Sequence, residues 1–149
     1  MLFLGTILNK VDGKGRVSVP ADFRAAVRGD EFAGVVLYHS FTQKCIEGCT
    51  MGRLEKISDA MDNMDVFGES AQNLNSLIFS DARQLSFDVT GRILIPSDLL
   101  RDAGIGTDAM FVGKGKTFQI WNEAEFKLAQ DAERERALAS RPSLKFISE

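Results

Sequence analysis

The chain has 149 residues, 44% of them hydrophobic, and its 18 Lys and Arg are outnumbered by 21 Asp and Glu, for a formal net charge of -3. That length allows one ordinary domain or two small ones sharing a core, and that charge excludes whole-chain attraction to phosphate or to an anionic membrane, so any nucleic-acid contact has to be local. Two cysteines are too few for a disulfide framework and no apolar run approaches the length of a bilayer span, which points to a cytoplasmic, reducing setting.

Met1 to Leu8 is an apolar run with no basic segment before it, and it passes straight into Asn9 and Lys10, so it reads as a first strand rather than an export signal. Asp12-Gly13-Lys14-Gly15-Arg16 follows as a turn. The Asp12 side chain is placed to accept from backbone N–H groups two residues on, and Gly15 can take a positive φ. Val17 and Val19 then alternate onto one face, and Pro20 opens a short helix at a position where a missing N–H costs nothing. Asp22 in its first turn, Arg24 and Arg28 late, and Gly29 at its end all suit the helix dipole and a left-handed cap. Two more apolar runs, Val35 to Tyr38 and Cys45-Ile46, complete a strand, turn, strand, helix, strand, turn, strand unit.

Thr50 to about Asp65 reads as an amphipathic helix with Leu54, Ile57, Met61 and Met64 on one stripe, and Ala71, Leu74 and Ile78 mark a second helix. The unit then returns. Asp88-Val89-Thr90-Gly91-Arg92-Ile93-Leu94-Ile95-Pro96 repeats Asp12 to Pro20 at a constant offset of 76, and Asp22, Phe23 and Val27 find counterparts in Asp98, Leu99 and Ala103. Met110 to Val112 and Phe118 to Trp121 are its closing pair of strands. Asn122, with Glu125 three residues on, caps a charged helix running to about Ala139, and the tail from Arg141 has little pattern. Charge is unevenly spread: residues 1–30 hold five bases against three acids, and residues 55–69 five acids against Lys56 alone, which leaves the N-terminal part to form a basic surface.

Two hairpins and one short helix cannot bury their apolar face alone, whereas two such units can bury those faces against each other. The expectation is an α+β fold, a pseudo-twofold β-barrel of two interleaved tandem ββαββ units with the added helices packed outside. Its divisions are a first unit over 1–50, a helical insert over 51–80, a second unit over 81–124, and a C-terminal helix and tail over 125–149.

On these residues the chain resembles the MraZ family, within the AbrB and SpoVT swapped-hairpin superfamily. The resemblance spans nearly the whole chain: Leu2-Phe3-Leu4-Gly5, Asp12 to Pro20, the helical insert, Phe79-Ser80-Asp81-Ala82, Asp88 to Pro96, and Val112-Gly113 leading to Phe118-Gln119-Ile120-Trp121. It implies AbrB-like units in a swapped-hairpin barrel. It also implies a DNA-binding regulator of the bacterial division and cell-wall gene cluster, acting mainly as a repressor on short direct repeats in the promoter, and a ring-like homo-oligomer associated with the nucleoid. The family's DNA-contacting loop falls on Lys14 and Arg16. In two places the chain departs from the pattern. The second copy has Thr90 in place of Lys14 and Ser86 in place of Lys10, and Cys45-Ile46-Glu47-Gly48-Cys49 is more polar than the family's strand there, which bears on packing at the edge of the first unit.

An Arg at the tip of a glycine-containing turn can place two parallel hydrogen bonds on a guanine edge, while nearby cations hold phosphates. Arg16 is thus the candidate base reader, with Lys14, Lys10 and Arg24 as phosphate contacts, and Asp12, Gly15, Asp88 and Gly91 as residues of the turns. Arg92 stands open between DNA contact and structural pairing with Asp88, and pairing with Asp12 remains the plain alternative for Arg16. A few such contacts per subunit bind weakly, and repeated subunits on repeated boxes raise affinity by avidity.

Other signals carry less. His39, Cys45 and Cys49 lack a fourth ligand and a zinc-like spacing, so no metal is expected. Gly115-Lys116-Thr117 lacks the earlier glycine of a phosphate loop and reads as a hairpin turn, and the dinucleotide-like letters Gly104 to Ala109 follow a helix and precede a strand, the reverse of what that chemistry needs. No nucleophile with a positioned base is visible, so neither an enzyme, nor a cofactor, nor a small-molecule substrate, nor a membrane partner is expected. The rival reading is a protein-interaction module of the antitoxin type.

Overall fold

Alternation of Val17 with Val19, and of Ile93 with Ile95, decides which side of two very short strands faces inward, and the fold is built over that side. The computed structural model describes residues 1–65 and 67–146. In chain order it contains β1 (Thr6–Lys10), β2 (Arg16–Ser18), α1 (Ala21–Val27), β3 (Gly34–His39), β4 (Ile46–Cys49), α2 (Met51–Met61) and α3 (Glu69–Leu74), which a π-helical turn continues over Asn75–Phe79. The second half holds β5 (Arg83–Ser86), β6 (Arg92–Leu94), α4 (Ser97–Asp102), β7 (Asp108–Gly113), β8 (Phe118–Trp121) and α5 (Glu123–Ser140). This is an α+β fold with antiparallel pairing.

Six strands form one sheet in the order β1-β7-β8-β4-β3-β5, and β2 pairs with β6 as a separate ribbon. The pairing crosses between the two copies of the repeat: β1 runs against β7 from Thr6↔Val112 to Lys10↔Asp108, and β3 against β5 from Gly34↔Ser86 to Leu37↔Arg83. The expected closed barrel does not form as one hydrogen-bonded ring. β1 and β5 are the outer strands of the large sheet, and β1 meets the ribbon through an isolated bridge between Val11 and Val17. The cause is the length of β2 and β6, each three residues confined between a tight turn and a proline that has no N–H for a ladder. The two prolines stand at the N-caps of α1 and α4, one place earlier than expected, with φ of -51° and -55°.

The central core gathers side chains from both copies, including Val17, Val19, Ile93 and Ile95 from the ribbon strands, Phe23 and Leu99 from the short helices, and Leu37, Ile46, Phe111 and Ile120 from the sheet. Phe3, Phe23 and Phe118 meet with ring centroids 4.9 to 5.5 Å apart, a spacing that suits tilted and edge contacts. The other face of the sheet is covered in two patches. Leu54 of α2 and Ile78 of the π turn pack on Val36, Tyr38 and Cys49, and Phe126 of α5 packs on Cys45, Met110, Val112 and Trp121. β3 and β7 are therefore buried on both sides, which explains their continuous apolar runs.

Asn122 caps α5 as expected, its Oδ1 accepting from the Glu125 N–H at 3.0 Å, and Thr50 stands just before α2 as its cap, Oγ1 accepting from the Arg53 N–H at 3.0 Å. α2 ends at Met61 rather than near Asp65, so Met64 lies beyond it. The polar Cys45–Cys49 stretch is not an edge. β4 lies between β8 and β3, where Gln119 Nε2 of the neighbouring strand donates to Glu47 Oε1 at 3.2 Å and Gln119 Oε1 accepts from Trp121 Nε1 at 2.8 Å, so the polar groups find partners inside the sheet. Gly115, with φ of 83°, makes the hairpin turn between β7 and β8. No helix of the described residues is long and apolar enough to cross a membrane.

Gly48 faces Phe118 across the β4–β8 ladder, and a Cβ added there would stand 2.3 Å from the ring. Gly48→Ala is expected to cost about 1–3 kcal/mol of stability, read from urea denaturation. An unchanged midpoint would mean the Phe118 ring can give way.

Candidate nucleic-acid interface

Each turn is built on one carboxylate. Asp12 Oδ1 accepts from the N–H groups of Lys14 and Arg16, both at 2.9 Å, while Oδ2 accepts from Arg16 Nε at 2.7 Å. The Arg16 backbone N–H, opposed in part by desolvation and reinforced by the guanidinium, lowers the Asp12 pKa to about 2, so the carboxylate stays charged at neutral pH. Asp88 repeats this with the N–H groups of Thr90 and Arg92 at 2.9 Å and with Arg92 Nε at 2.9 Å, and the Thr90 hydroxyl donates to it as well. Its pKa is lowered likewise, first by the Arg92 backbone N–H. Gly15 and Gly91 close the turns at φ of 90° and 80°, and their carbonyls accept from Ile95 N–H and Val19 N–H of the opposite copy.

The ribbon register sets Arg16 opposite Leu94, Val17 opposite Ile93 and Ser18 opposite Arg92. Because side chains alternate along a strand, Val17 and Ile93 point into the core, and Arg16 and Arg92 share the outer face as a diagonal pair roughly 7–8 Å apart. Both guanidinium groups are held through Nε, and their terminal nitrogens have no hydrogen bond among the described residues. The side chain of Arg16 is 40% exposed and that of Arg92 38%. Pairing with aspartate thus occupies one edge of each guanidinium and leaves its outer edge presented. The structure gives no geometric reason to separate Arg16 from Arg92.

The other candidates are less alike. Lys14 is exposed at the tip of the first turn, with no ion pair among the described residues. Lys10 lies opposite Asp108 in the β1–β7 ladder and pairs with it at 2.7 Å, its own side chain being 83% exposed. Arg24 belongs to the first copy in sequence but lies at the second turn in space. Its Nε donates to the Val19 carbonyl at 3.1 Å, and its Nη1 lies 2.4 Å from where a Cβ on Gly91 would stand. The matching place over Gly15 is taken by Leu100. The second turn, which lacks a counterpart of Lys14, thereby receives a cation from α1.

One constellation has no signal in the sequence. His39 lies between two aspartates, Nδ1 2.8 Å from Asp81 Oδ2 and Nε2 2.8 Å from Asp102 Oδ2. Arg83 joins the group by donating to both oxygens of Asp98, at 2.9 and 2.7 Å, and to Asp81. These contacts clamp β3, β5 and α4 together across sequence separations of 42 and 63 residues, which no local pattern encodes. Cys45 and Cys49 do not join it. They lie in separate apolar clusters, where burial pushes each thiol up to about 12, and among the described residues no group of His, Cys, Asp and Glu is arranged to hold a metal.

Burial by itself favours the neutral imidazole of His39, but the hydrogen bonds it donates to Asp81 and Asp102 outweigh it and hold the pKa above its ordinary value. A group raised in the folded state contributes its full stability below the unfolded pKa, about 6.5, and loses it as pH rises through the folded value. The urea midpoint is therefore expected to fall as pH rises above about 6.5, and His39→Gln to remove that slope. Parallel profiles for the two proteins would show that the clamp carries no proton-linked stability.

Comparison with known proteins bears on what this surface is for. The family described as "MraZ protein, putative antitoxin-like" matches residues 78–142, which include the second turn and the whole of α5. The chain is 46% identical over 140 residues to the transcriptional regulator MraZ of Rhodospirillum rubrum, covering 93% of this chain and 90% of that protein. It is 42% identical over 126 residues to the protein of the same name from Rickettsia canadensis, covering 85% of each. For that of Pelagibacter ubique the figure is 41% over 145 residues, covering 97% and 94%.

Proposed function

The chain belongs to the MraZ family of transcriptional regulators, and on that footing we propose that it acts by binding double-stranded promoter DNA through the outer face of the β2–β6 ribbon. The observation that carries this reading is the pair Arg16 and Arg92, each oriented by an aspartate at Nε with its outer edge turned to solvent. A guanidinium held in this way matches guanine O6 and N7 bidentately at little further cost in side-chain freedom. Arg16 reads base edges, Arg92 joins it from the same face, and Lys14 and Arg24 hold phosphate beside the first and second turns. Lys10, exposed and paired with Asp108 at its side, adds a further phosphate contact.

The finer reading follows the family. The cross-copy pairing of residues 1–50 with residues 81–124 is the swapped-hairpin arrangement, with residues 51–80 as insert and 125–149 as C-terminal helix and tail. The protein works in the cytoplasm at the nucleoid as a homo-oligomeric, ring-like repressor of the division and cell-wall gene cluster, binding direct repeats. An assembly explains how an acidic chain with few contacts per subunit holds DNA, since later contacts become effectively intramolecular. Exposed Met1, Leu2 and Leu4 supply apolar surface for subunit contact. The family's description as antitoxin-like keeps a toxin-holding module as the second reading. Against it stands α5, a capped helix of 18 residues rather than a disordered tail that could wrap a partner.

Arg16→Ala and Arg92→Ala are each expected to lose about 1–3 kcal/mol of box discrimination with circular dichroism and size-exclusion profiles unchanged, both by fluorescence anisotropy on a duplex of repeated boxes. Parental affinity in Arg16→Ala at matched salt would remove the ribbon as the reading surface. Lys14→Ala should weaken all duplexes alike and reduce the salt slope by about one unit.

A further inference from the structure

Lys10, Arg16, Lys44, Arg83, Arg92, Arg101 and Lys127 each have a carboxylate within 4.0 Å, and the other cations have none among the described residues. A groove of about 260 Å³ at the C-terminal end of α1 holds four of these others: Arg28, Arg53, Lys56 and Lys116. They come from three separate stretches, the end of α1, the first two turns of α2 and the β7–β8 turn. With acids in excess over bases, lack of carboxylates is not the reason.

Among the described residues Asp30 is the one carboxylate lining this groove, and it is committed to backbone: Oδ1 accepts from Gly52 N–H at 3.0 Å and Oδ2 from Phe32 N–H at 3.3 Å. Arg53 Nε is shielded from solvent and has no hydrogen-bond partner among the described residues, so this buried edge of the guanidinium is left unanswered by the protein. Of the acids of α2, Glu55 falls on the far side of the helix from Arg53 at about 100° per residue, and Asp59, three residues on from Lys56, makes no ion pair with it among the described residues. Holding like charges together without carboxylates costs free energy that an external anion relieves.

The groove is continuous with the second turn. Arg28, Gly29 and Asp30 also line an adjoining groove of about 370 Å³ whose far wall is Asp88, Val89 and Gly91, and there Arg24 lies over Gly91. Cations therefore run in a stripe from the ribbon, across the end of α1, to α2 and the β7–β8 turn. A row of this kind fits the regularly spaced phosphates of a duplex better than one small anion. We propose that Arg28, Arg53, Lys56 and Lys116 form a second DNA contact on each subunit, a phosphate-holding stripe that grips the backbone beside the bases facing the ribbon. This rests on the reading of the ribbon as the DNA surface. It adds no sequence preference of its own, because phosphate contacts position and base contacts specify.

The test is the salt dependence of binding to a duplex of repeated boxes with extended flanks, by fluorescence anisotropy between 50 and 200 mM salt. Lys56→Gln with Lys116→Gln changes two exposed side chains and is expected to fold as the parent. It should bind about tenfold more weakly and flatten the salt slope by about 1–2 units per engaged subunit, with box preference retained. Arg53→Gln should act in the same direction. Lys44→Gln with Lys127→Gln alters net charge equally on another surface and should leave the slope near the parental value. A groove variant that matches this control, or the parent, overturns the proposal. If Arg16→Ala lowers box preference while the groove variants change nothing, the stripe alone falls; if neither changes binding, the ribbon reading falls with it. Calorimetric titration with pyrophosphate closes the remaining case, since saturable binding that duplex DNA does not compete away would assign the groove to a free anion and overturn the backbone contact.

Discussion

Everything in this molecule hangs on the pairing of β2 with β6. These strands have three residues each, far too short to be stable as an isolated ribbon, and they persist because Val17, Val19, Ile93 and Ile95 are withdrawn almost completely from water beneath them. At about 25 cal/mol per Å² of apolar surface, each such side chain contributes roughly 1.5–3 kcal/mol, more than the few backbone hydrogen bonds of the ribbon supply net. Burial below is what allows two arginines to stand above.

The turns convert that anchoring into orientation. A single aspartate at the head of each turn satisfies two backbone N–H groups with one oxygen and takes the arginine Nε on the other, so backbone and side chain are set by the same charge. In each turn the glycine carbonyl accepts from the opposite strand, which ties the two arginines to each other's copy. Structural pairing and outward display of the guanidinium are not alternatives here. They use different edges of one planar group.

Charge is handled by segregation rather than by net balance. Glu55 and Asp59 of α2 are exposed, the His39 clamp answers Asp81, Asp98 and Asp102 internally with a histidine and an arginine, and the end of α1 gathers cations that no described carboxylate answers. A net charge of -3 thus coexists with a local positive surface, which is the quantity an approaching polyanion senses within a Debye length.

From the sequence alone, the offset of 76 residues locates both turns, their glycines of positive φ, the alternating strands and the proline-led helices, and the spacing of Asn122 and Glu125 locates a cap, because each depends on residues within a few positions of one another. The same local logic identifies Arg16 and Arg92 as the arginines of the turns. Contacts between copies were beyond its reach. That β4 is interior despite Glu47, that the ribbon separates from the sheet, that Arg24 of the first copy lies over Gly91 of the second, and that His39 finds aspartates 42 and 63 residues away all follow from which apolar faces close on one another. Periodicity states that a face is apolar; only the packed chain decides what covers it, and hence which charges come to lie side by side.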